Sequence, residues 1–140
     1  MVKECPFCKI FTGESQDRKI YEAENTVAIL DMTPRLAQGQ CVVIHRKHVE
    51  QFYELEDYEI AELFKAAKVV ANKLKRAFNP QFVCLFSRGQ SIPHAHVIVF
   101  PSSPLSVLDG FFNSLMTLHL LIGESTSNKL DDVAEKIRGA

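Results

Sequence analysis

Two histidines separated by one residue are the side chains of this sequence best suited to chemistry. They lie in the run PHAHVIV, where alternation with apolar residues predicts a β-strand. Alternate side chains of a strand share a face, so His94, His96 and Ile98 point the same way, and the two imidazoles lie about 7 Å apart at ~3.3 Å per residue. A neutral imidazole can attack phosphorus and later depart again, so this face is suited to covalent catalysis through histidine.

A polar loop, Gly89-Gln90-Ser91, precedes the two histidines. It offers backbone N–H groups, an amide and a hydroxyl, which together can hold an anion such as a phosphate. A His-x-His pair alone also occurs on partly exposed strands that have no catalytic role. The anion-binding loop beside the pair favours the catalytic interpretation.

The second candidate for chemistry is the pair Cys5 and Cys8, separated by two residues. Two thiolates at this spacing suit tetrahedral zinc, although two more ligands must come from elsewhere in the chain. A thioredoxin-like redox pair and two unpaired thiols are the competing interpretations, and no βαβ pattern surrounds Cys5 to favour the redox one. The other two cysteines, Cys41 and Cys84, lie in apolar runs, where a free thiol behaves as a small buried hydrophobe.

Length and composition are those of an ordinary globular domain. The 140 residues are 46% hydrophobic and 24% charged, with a formal net charge of -1; these values fit one domain with its own core. They disfavour polynucleotides and anionic membranes as partners, but not a local phosphate site. The first residues, MVKECPFCKI, contain no apolar signal-peptide core, so we expect a cytoplasmic protein without a disulfide framework.

The elements that position these residues follow two different periods. Runs rich in β-branched and apolar residues predict strands at 20–23, 26–31, 40–45, 82–86 and 95–100. Residues 57–78 instead repeat apolar side chains every three or four positions, with acidic residues first and basic residues last, which predicts an amphipathic helix. A short turn or helix is expected around the cysteine pair, at 5–13. Strands around one long helix predict an α+β fold with an antiparallel sheet.

The segment GQSIPHAHVIV resembles the signature of the histidine triad family, in which histidines alternate with hydrophobic residues after a Gly-Gln-Ser loop. Further matches follow in the family's order: CPFCKIFTGE near the start, ILDMTP around Asp31, and QGQCVVIHRKHV ending at His48 and Val49. The resemblance covers roughly residues 5–101. It implies a HIT-like α+β fold, with an antiparallel five-stranded sheet, one long helix and extra C-terminal helices.

The resemblance also implies a purine-nucleotide site. His96 matches the family's central histidine, which attacks the α-phosphorus and forms a transient nucleotidyl-histidine. Asp31 matches the residue that accepts hydrogen bonds from the ribose hydroxyls, and its neighbours Leu30 and Met32 would wall the base. The phosphate and the leaving group would contact the loop residues Gly89, Gln90 and Ser91.

Relatives that carry the cysteine pair complete a zinc site with two histidines. The matching residues here are His48 and the first histidine of the motif, His94. The resemblance therefore implies a closed Cys₂His₂ site formed by Cys5, Cys8, His48 and His94. Such a structural zinc site would tie the N-terminus to the strand that carries His96.

Three features depart from the family pattern. Ile98 stands at the third histidine position, where the family's side chain contacts the phosphate and helps the leaving group to depart. The loop before Gly89 is short and lacks an asparagine that relatives place near the phosphates. Arg88 is a candidate replacement, because a guanidinium pairs well with phosphate oxygens. His45 occupies a position that is usually proline, and we expect it either at the surface or near the site.

The C-terminal quarter lies beyond the matched region. Its apolar stretch, 105–122, approaches the length of a membrane span, but polar residues within it argue against insertion: Asp109, Asn113 and His119. A short charged helix is expected at 129–138. We assign residues 1–104 to a histidine triad domain, and residues 105–140 to a helical extension packed on that domain or at a dimer interface.

Three functions fit these observations. The first is a nucleotidyl hydrolase or transferase acting on nucleoside phosphoramidates, dinucleoside polyphosphates or similar conjugates. The second is a catalytically weak or inactive nucleotide-binding module, which the loss of the third histidine favours. The third, a zinc-stabilised interaction protein without a ligand, leaves Asp31 and the Gly-Gln-Ser loop unexplained. The family also suggests a homodimer with paired sheets.

Overall fold

One antiparallel sheet of five strands organises the described part of the chain, which in this computed structural model comprises residues 4–15, 17–103, 107–122 and 127–140. In chain order the strands are β1 (Lys19–Glu22), β2 (Thr26–Leu30), β3 (Cys41–His45), β4 (Phe82–Phe86) and β5 (His96–Ser102). Their order across the sheet is β1-β2-β3-β5-β4, and every neighbouring pair is antiparallel. All the predicted strands are present, with bounds shifted by at most two residues.

Helices accompany the sheet on both faces and after it. Within the described residues they are α1 (Pro6–Thr12), α2 (Asp57–Phe78), α3 (Val107–Ile122) and α4 (Ser127–Arg138). The bounds predicted for α2 are confirmed residue for residue, whereas the short 3₁₀ turn before it, Phe52–Glu54, was not predicted. The α+β class, with one long helix and extra C-terminal helices, is confirmed.

Helix α2 begins and ends where its sequence provides caps. Glu56 and Glu59 form a reciprocal capping box, in which the Glu56 N–H donates to the Glu59 carboxylate at 2.8 Å. At the other end Asn79 adopts φ +44°, and its N–H donates to the Lys75 carbonyl at 3.0 Å. The apolar stripe between these caps is buried against the sheet through Leu63, Ala66, Ala67, Val70 and Leu74.

The two faces of the sheet are covered by different helices. On one face α2 packs over β-strand residues that include Ala28, Val43, Val97 and Val99. On the other face the short α1 contributes Phe7, Cys8 and Ile10, which pack with Val27, Ile29, Val42 and Ile44. Because α1 has only seven residues, part of this second face stays open. His96 and Ile98 of β5 lie on that open face, since side chains alternate along a strand.

The two cysteines of the apolar runs differ in their surroundings. Cys41 is buried, as expected, and burial together with the negative charge of Asp31 raises the pKa of its thiol to about 11. Cys84 is only half-buried, so the expectation of a buried thiol is wrong there. The reason is that Cys84 lies on β4, an edge strand of the sheet that has a neighbour on one side only.

The C-terminal helices present apolar side chains to solvent in the single chain. On α3 the exposed apolar residues include Phe111, Phe112, Leu115 and Met116. Within the described ranges, no helix combines the length and the apolar character needed to cross a membrane. The expected boundary at residues 104 and 105 lies outside the described residues, so the division of the chain into 1–104 and 105–140 stays a prediction.

The packing of α2 on the sheet leads to a prediction about stability. Leu63 is fully buried at 0% exposure, so Leu63→Ala should lower the free energy of unfolding by about 2–5 kcal/mol, because the lost methyl groups leave a cavity. Lys65→Ala, at an exposed position of the same helix, is the matched control and should change it by no more than about 0.5 kcal/mol. Urea unfolding followed by circular dichroism measures both, and equal losses would contradict the placement of Leu63 in the core.

Candidate functional site

His96 is the first residue of β5 and lies on the face that α1 covers only in part. Its backbone pairs with Ile44 of β3, and the residue is 9% exposed. The ring Nδ1 lies 2.6 Å from the backbone carbonyl oxygen of His94. Because a carbonyl can only accept, Nδ1 carries the proton and donates it, and Nε2 of the neutral ring keeps its lone pair. A nucleophilic imidazole needs this lone pair.

A cavity of about 440 Å³ lies beside His96, a volume within the range of small-molecule sites, about 300–1,000 Å³. The cavity brings His96 together with every residue that the sequence assigned to nucleotide or phosphate binding: Leu30, Asp31, Met32, Arg88, Gly89, Gln90 and Ser91. It is also lined by polar residues that the sequence interpretation missed, namely Asp17, Arg35 and Gln40.

Asp31 is fixed at one end of the cavity by two hydrogen bonds. The Thr33 N–H donates to one carboxylate oxygen at 2.9 Å, and the Gln40 side-chain amide donates to the other at 2.5 Å. Gln40 is itself buried, and its amide oxygen accepts the Leu36 N–H at 3.0 Å. A carboxylate has about four lone-pair sites, so Asp31 retains acceptor capacity for hydroxyl groups of a ligand.

The pairing of β2 with β3 would have predicted that Gln40 lies beside Asp31. Leu30 lies opposite Cys41 at the end of this pair. One residue further, the Asp31 N–H donates to the Gln40 carbonyl at 2.9 Å, so positions 31 and 40 continue the same register. An antiparallel alignment of the two strands from sequence would therefore have placed this amide beside the carboxylate.

The Gly-Gln-Ser loop forms the other end of the cavity. Gly89 has φ +63°, a backbone conformation that residues with a Cβ rarely adopt, so glycine suits this position. Just before it, the Ser87 hydroxyl donates to the His96 carbonyl at 2.7 Å. This bond holds the loop against the start of β5, next to the histidine.

Ile98 completes an apolar stripe across three strands of the cavity wall. It pairs with Val42 of β3 on one side and with Phe86 of β4 on the other, and all three line the cavity. The pairing of β4 with β5 ends there, and Arg88 follows two residues after Phe86. Arg88 also lines the cavity, so it brings a cationic side chain to the same cavity as His96.

The predicted metal ligands form a second cluster behind His96. The ligand atoms of Cys5, Cys8, His48 and His94 all lie within 4.8 Å of one another. The Cys5 sulfur is 3.3 Å from Nδ1 of His94, the Cys8 sulfur is 3.4 Å from Nδ1 of His48, and the two Nδ1 atoms are 3.1 Å apart. Two sulfurs and two imidazole nitrogens that converge in this way form a site able to bind a metal ion.

The hydrogen bonding of His94 fits the part of a metal ligand. Its Nε2 lies 2.7 Å from the His45 carbonyl oxygen, so Nε2 carries the proton and the Nδ1 lone pair faces the two cysteines. Burial lowers the pKa of His94 to about 4, so the ring is neutral near pH 7, which is the form that binds metals. The ring is completely buried.

His45 is buried, which contradicts the expectation that it lies at the surface, and its backbone contacts His94 of the site. It is 3% exposed, and it does not line the cavity. The Lys47 N–H donates to its Nδ1 at 3.1 Å, which leaves Nε2 to donate to the Glu62 carboxylate of α2 at 3.2 Å. The side chain therefore anchors the end of β3 to α2, while its carbonyl orients His94.

Comparison with known proteins places this geometry in a family. The HIT domain family model matches residues 12–105. A HIT-like protein of Methanocaldococcus jannaschii is 30% identical over 139 residues, covering 96% of this chain and 99% of the relative. Two of the relatives that are named for activities each cover about two thirds of this chain or more. The adenosine 5′-monophosphoramidase hnt1 of Schizosaccharomyces pombe is 29% identical, and the match covers 69% of this chain and 73% of the relative. The adenylylsulfatase HINT3 of Arabidopsis thaliana is also 29% identical, and the match covers 70% of this chain and 52% of the relative.

A solved structure agrees over nearly the whole chain. The crystal structure of a HIT family protein from Bacillus anthracis superposes with a TM-score of 0.77 at 26% identity, covering 99% of this chain and 98% of that one. The match includes the five-stranded antiparallel sheet and the helices described above. The sequence match, the shared fold and the histidine motif all lead to one assignment: this chain belongs to the HIT domain family.

Proposed function

We propose that this chain is a purine nucleotide hydrolase or transferase that cleaves nucleoside phosphoramidates or dinucleoside polyphosphates at the α-phosphorus. The observation that carries the proposal is the tautomer of His96 at the cavity wall. Its Nδ1–H is bound to the His94 carbonyl, so the Nε2 lone pair is left for attack. Further support comes from the relatives named as a monophosphoramidase and an adenylylsulfatase, since both names describe adenosine nucleotide conjugates.

The lining of the cavity supports an assignment of its two ends. The Asp31 carboxylate, fixed by Gln40, would accept hydrogen bonds from the ribose hydroxyls, and Leu30 and Met32 would flank the purine base. The phosphate oxygens would contact the residues at the other end: Arg88, Gly89, Gln90 and Ser91. In this orientation the α-phosphorus lies between the two ends, beside His96.

The chemistry follows from the lone pair and the fixed proton of His96. Nε2 attacks the α-phosphorus, the bond to the leaving group breaks, and the ring becomes a nucleotidyl-imidazolium. The Nδ1–H bond to the His94 carbonyl, at 2.6 Å, stabilises the positive charge that develops on the ring. Water then attacks phosphorus, the P–N bond breaks, one proton passes to solvent, and a nucleoside monophosphate leaves with His96 neutral again.

We propose that the Cys5, Cys8, His48 and His94 site takes zinc. The donor set is the one that structural zinc sites use, and four protein ligands leave no open position for substrate. The bound ion would supply a rigid, charged anchor at this point. Held in this way, His94 keeps its carbonyl aimed at His96, and α1 stays against the sheet.

A nucleotide-binding module with little or no turnover is the second candidate function. Ile98 favours it, because an aliphatic side chain at the third histidine position can neither donate a hydrogen bond nor supply a proton. Loss of one electrostatic contact in an active site costs about 10²–10³ in turnover. The retained nucleophile and its hydrogen bond favour the enzyme.

We further propose a cytoplasmic homodimer, joined through the free edge of the sheet. Strand β4 has a neighbour on one side only, and it exposes Phe82, Leu85 and Phe86. Pairing of two β4 strands would cover these side chains and remove the unpaired edge. The exposed apolar residues of α3 then supply further contact surface, so that the helical extension, residues 105–140, would border the same interface.

The nucleophile is tested by His96→Ala. Release of AMP from adenosine 5′-phosphoramidate and from diadenosine triphosphate should fall by at least about 10³-fold, because the covalent route is lost. AMP binding, measured by calorimetry, should persist in the variant because the other contacts of the cavity remain. Intact-protein mass spectrometry of acid-quenched wild type should detect a nucleotidyl adduct that the variant lacks. Undiminished turnover in His96→Ala would contradict the covalent mechanism.

The zinc site is tested by Cys8→Ser beside Cys84→Ser. We expect about one zinc per chain in the wild type and in Cys84→Ser, since Cys84 lies outside the cluster, and little or none in Cys8→Ser. Elemental analysis of purified protein measures the content. The melting temperature should fall in Cys8→Ser and in wild type treated with a chelator, because binding of the metal stabilises the folded state. Wild-type protein that neither contains zinc nor takes it up would contradict the assignment.

The dimer interface is tested by Leu85→Glu. Leu85 is 52% exposed in the single chain, and a charge there would be buried against its copy in a β4–β4 pair, which is costly. Tyr53→Glu, at a position 70% exposed and outside the sheet, is the control. Light scattering should report dimers for the wild type and for Tyr53→Glu, and monomers for Leu85→Glu. A dimeric Leu85→Glu would place the interface elsewhere.

A further inference from the structure

Ile98 deprives the cavity of the proton donor that its position would otherwise supply. The side chain lies in the apolar stripe between Val42 and Phe86, and all three line the cavity. None of them can give a proton to a departing group. The question is then whether another side chain of the cavity takes over this role.

The two carboxylates of the cavity act as acceptors. Asp31 accepts hydrogen bonds from the Thr33 N–H and from the Gln40 amide. Asp17 accepts one from the Ser15 hydroxyl. In these hydrogen bonds both carboxyl groups accept and neither donates a proton.

The remaining polar side chains of the cavity are no better as acids. The guanidinium groups of Arg35 and Arg88 keep their protons in proteins. The Ser91 hydroxyl makes no hydrogen bond to a titratable side chain of the described residues, so no acid stands behind it to relay a proton. His96 itself is consumed as the nucleophile. Among the described residues that line the cavity, none is left to serve as a general acid.

A cation replaces the acid on the same side of the site. The Ser87 hydroxyl donates to the His96 carbonyl, so the segment that carries Arg88, the next residue, is held close to His96. Arg88 lines the cavity beside the apolar stripe. A guanidinium pairs well with oxyanions, because its N–H donors match the geometry of phosphate and carboxylate oxygens. It stabilises a leaving group that departs as an anion and does nothing for one that must be protonated.

Building on the proposed function, we propose that the substrates are nucleotide anhydrides whose leaving group is an oxyanion, and that phosphoramidates are poor substrates. The α-phosphorus of such a conjugate is bridged by oxygen to a phosphate, sulfate or carboxylate. Nε2 of His96 forms a bond to phosphorus, the bridging P–O bond breaks, and its electron pair leaves on the oxyanion, which needs no proton. In a phosphoramidate the P–N bond breaks instead, and the nitrogen must take up a proton that this cavity does not supply.

Family resemblance leaves this choice open, and the residues of this chain decide it. One relative is named for an amide and the other for a sulfate conjugate, and both are 29% identical to this chain. The discriminating features, Ile98 and Arg88, are the ones in which this sequence departs from the family pattern.

The experiment compares three adenylyl conjugates on the wild-type protein. Diadenosine triphosphate and adenosine 5′-phosphosulfate carry oxyanion leaving groups of different origin, and adenosine 5′-phosphoramidate carries an amine. We expect kcat/KM to be at least about 10²-fold higher for one or both anhydrides than for the amide, because general acid help is worth about 10²–10⁴-fold. The order of the two anhydrides identifies the source of the oxyanion.

Two variants at position 98 separate acid catalysis from polarity. Ile98→His should reduce the anhydride-to-amide ratio by at least about 10²-fold, since an imidazolium there can protonate the amine. Ile98→Gln, which is polar but gives no proton, should keep the ratio high. Arg88→Gln should lower kcat/KM for the anhydrides by about 10²-fold, and it should lower kcat/KM for the phosphoramidate by less.

Failure of the leaving-group proposal and failure of the proposed function give different results in these experiments. A nucleotidyl-His96 adduct with equal or faster turnover of the phosphoramidate in wild type would overturn the leaving-group proposal and keep the proposed function. Absence of both adduct and turnover with all three conjugates would overturn the proposed function, and the leaving-group proposal with it. The wild-type comparison stands alone if a variant fails to fold.

Discussion

The backbone and ring of His94 connect the two halves of the site, and the rest of the structure depends on this residue. Its ring nitrogen Nε2 donates to the His45 carbonyl, so that Nδ1 faces the cysteines, and its own carbonyl accepts the proton of His96. Both bonds are made in a fully buried place, where an unpaired polar group would be costly. The orientation of the proposed metal ligand and that of the proposed nucleophile are thus set by a single residue.

Elements on both sides of the sheet hold the contacts that join His45, His94 and His96. The β3–β5 pair brings His45 next to Ala95, whose carbonyl accepts the His45 N–H at 3.3 Å. From the far side of the sheet, Glu62 of α2 fixes the His45 ring. From the near side, the Phe7 ring of α1 packs edge-on against His94 and His96, with centroids 5.8 and 5.2 Å apart. Both layers that cover the sheet therefore restrain the strand that carries His96.

The sequence predicts the elements well and the site in part, for physical reasons. The period of α2 and its caps are local, so its bounds, residues 57–78, follow from neighbouring side chains. The cluster of Cys5 with His94 joins positions 89 residues apart, and only the family resemblance brought those residues together. Arg35 and Gln40 of the cavity were missed because loop geometry and strand register decide their place. The sequence could not decide between a surface and a buried position for His45, because its burial depends on Glu62, a partner on another element.

The apolar stripe that contains Ile98 removes a proton donor from the cavity, and it also changes the electrostatics around His96. A histidine at that position would bring a second ionisable ring close to His96, and a positive charge there would oppose the imidazolium that forms on attack. Val42, Ile98 and Phe86 instead make that wall apolar, and Arg88 supplies a cation to the same cavity that can pair with phosphate oxygens. The site thus gives up proton donation and gains electrostatic stabilisation of negative charge. Such an exchange is useful only when the departing group is stable as an anion.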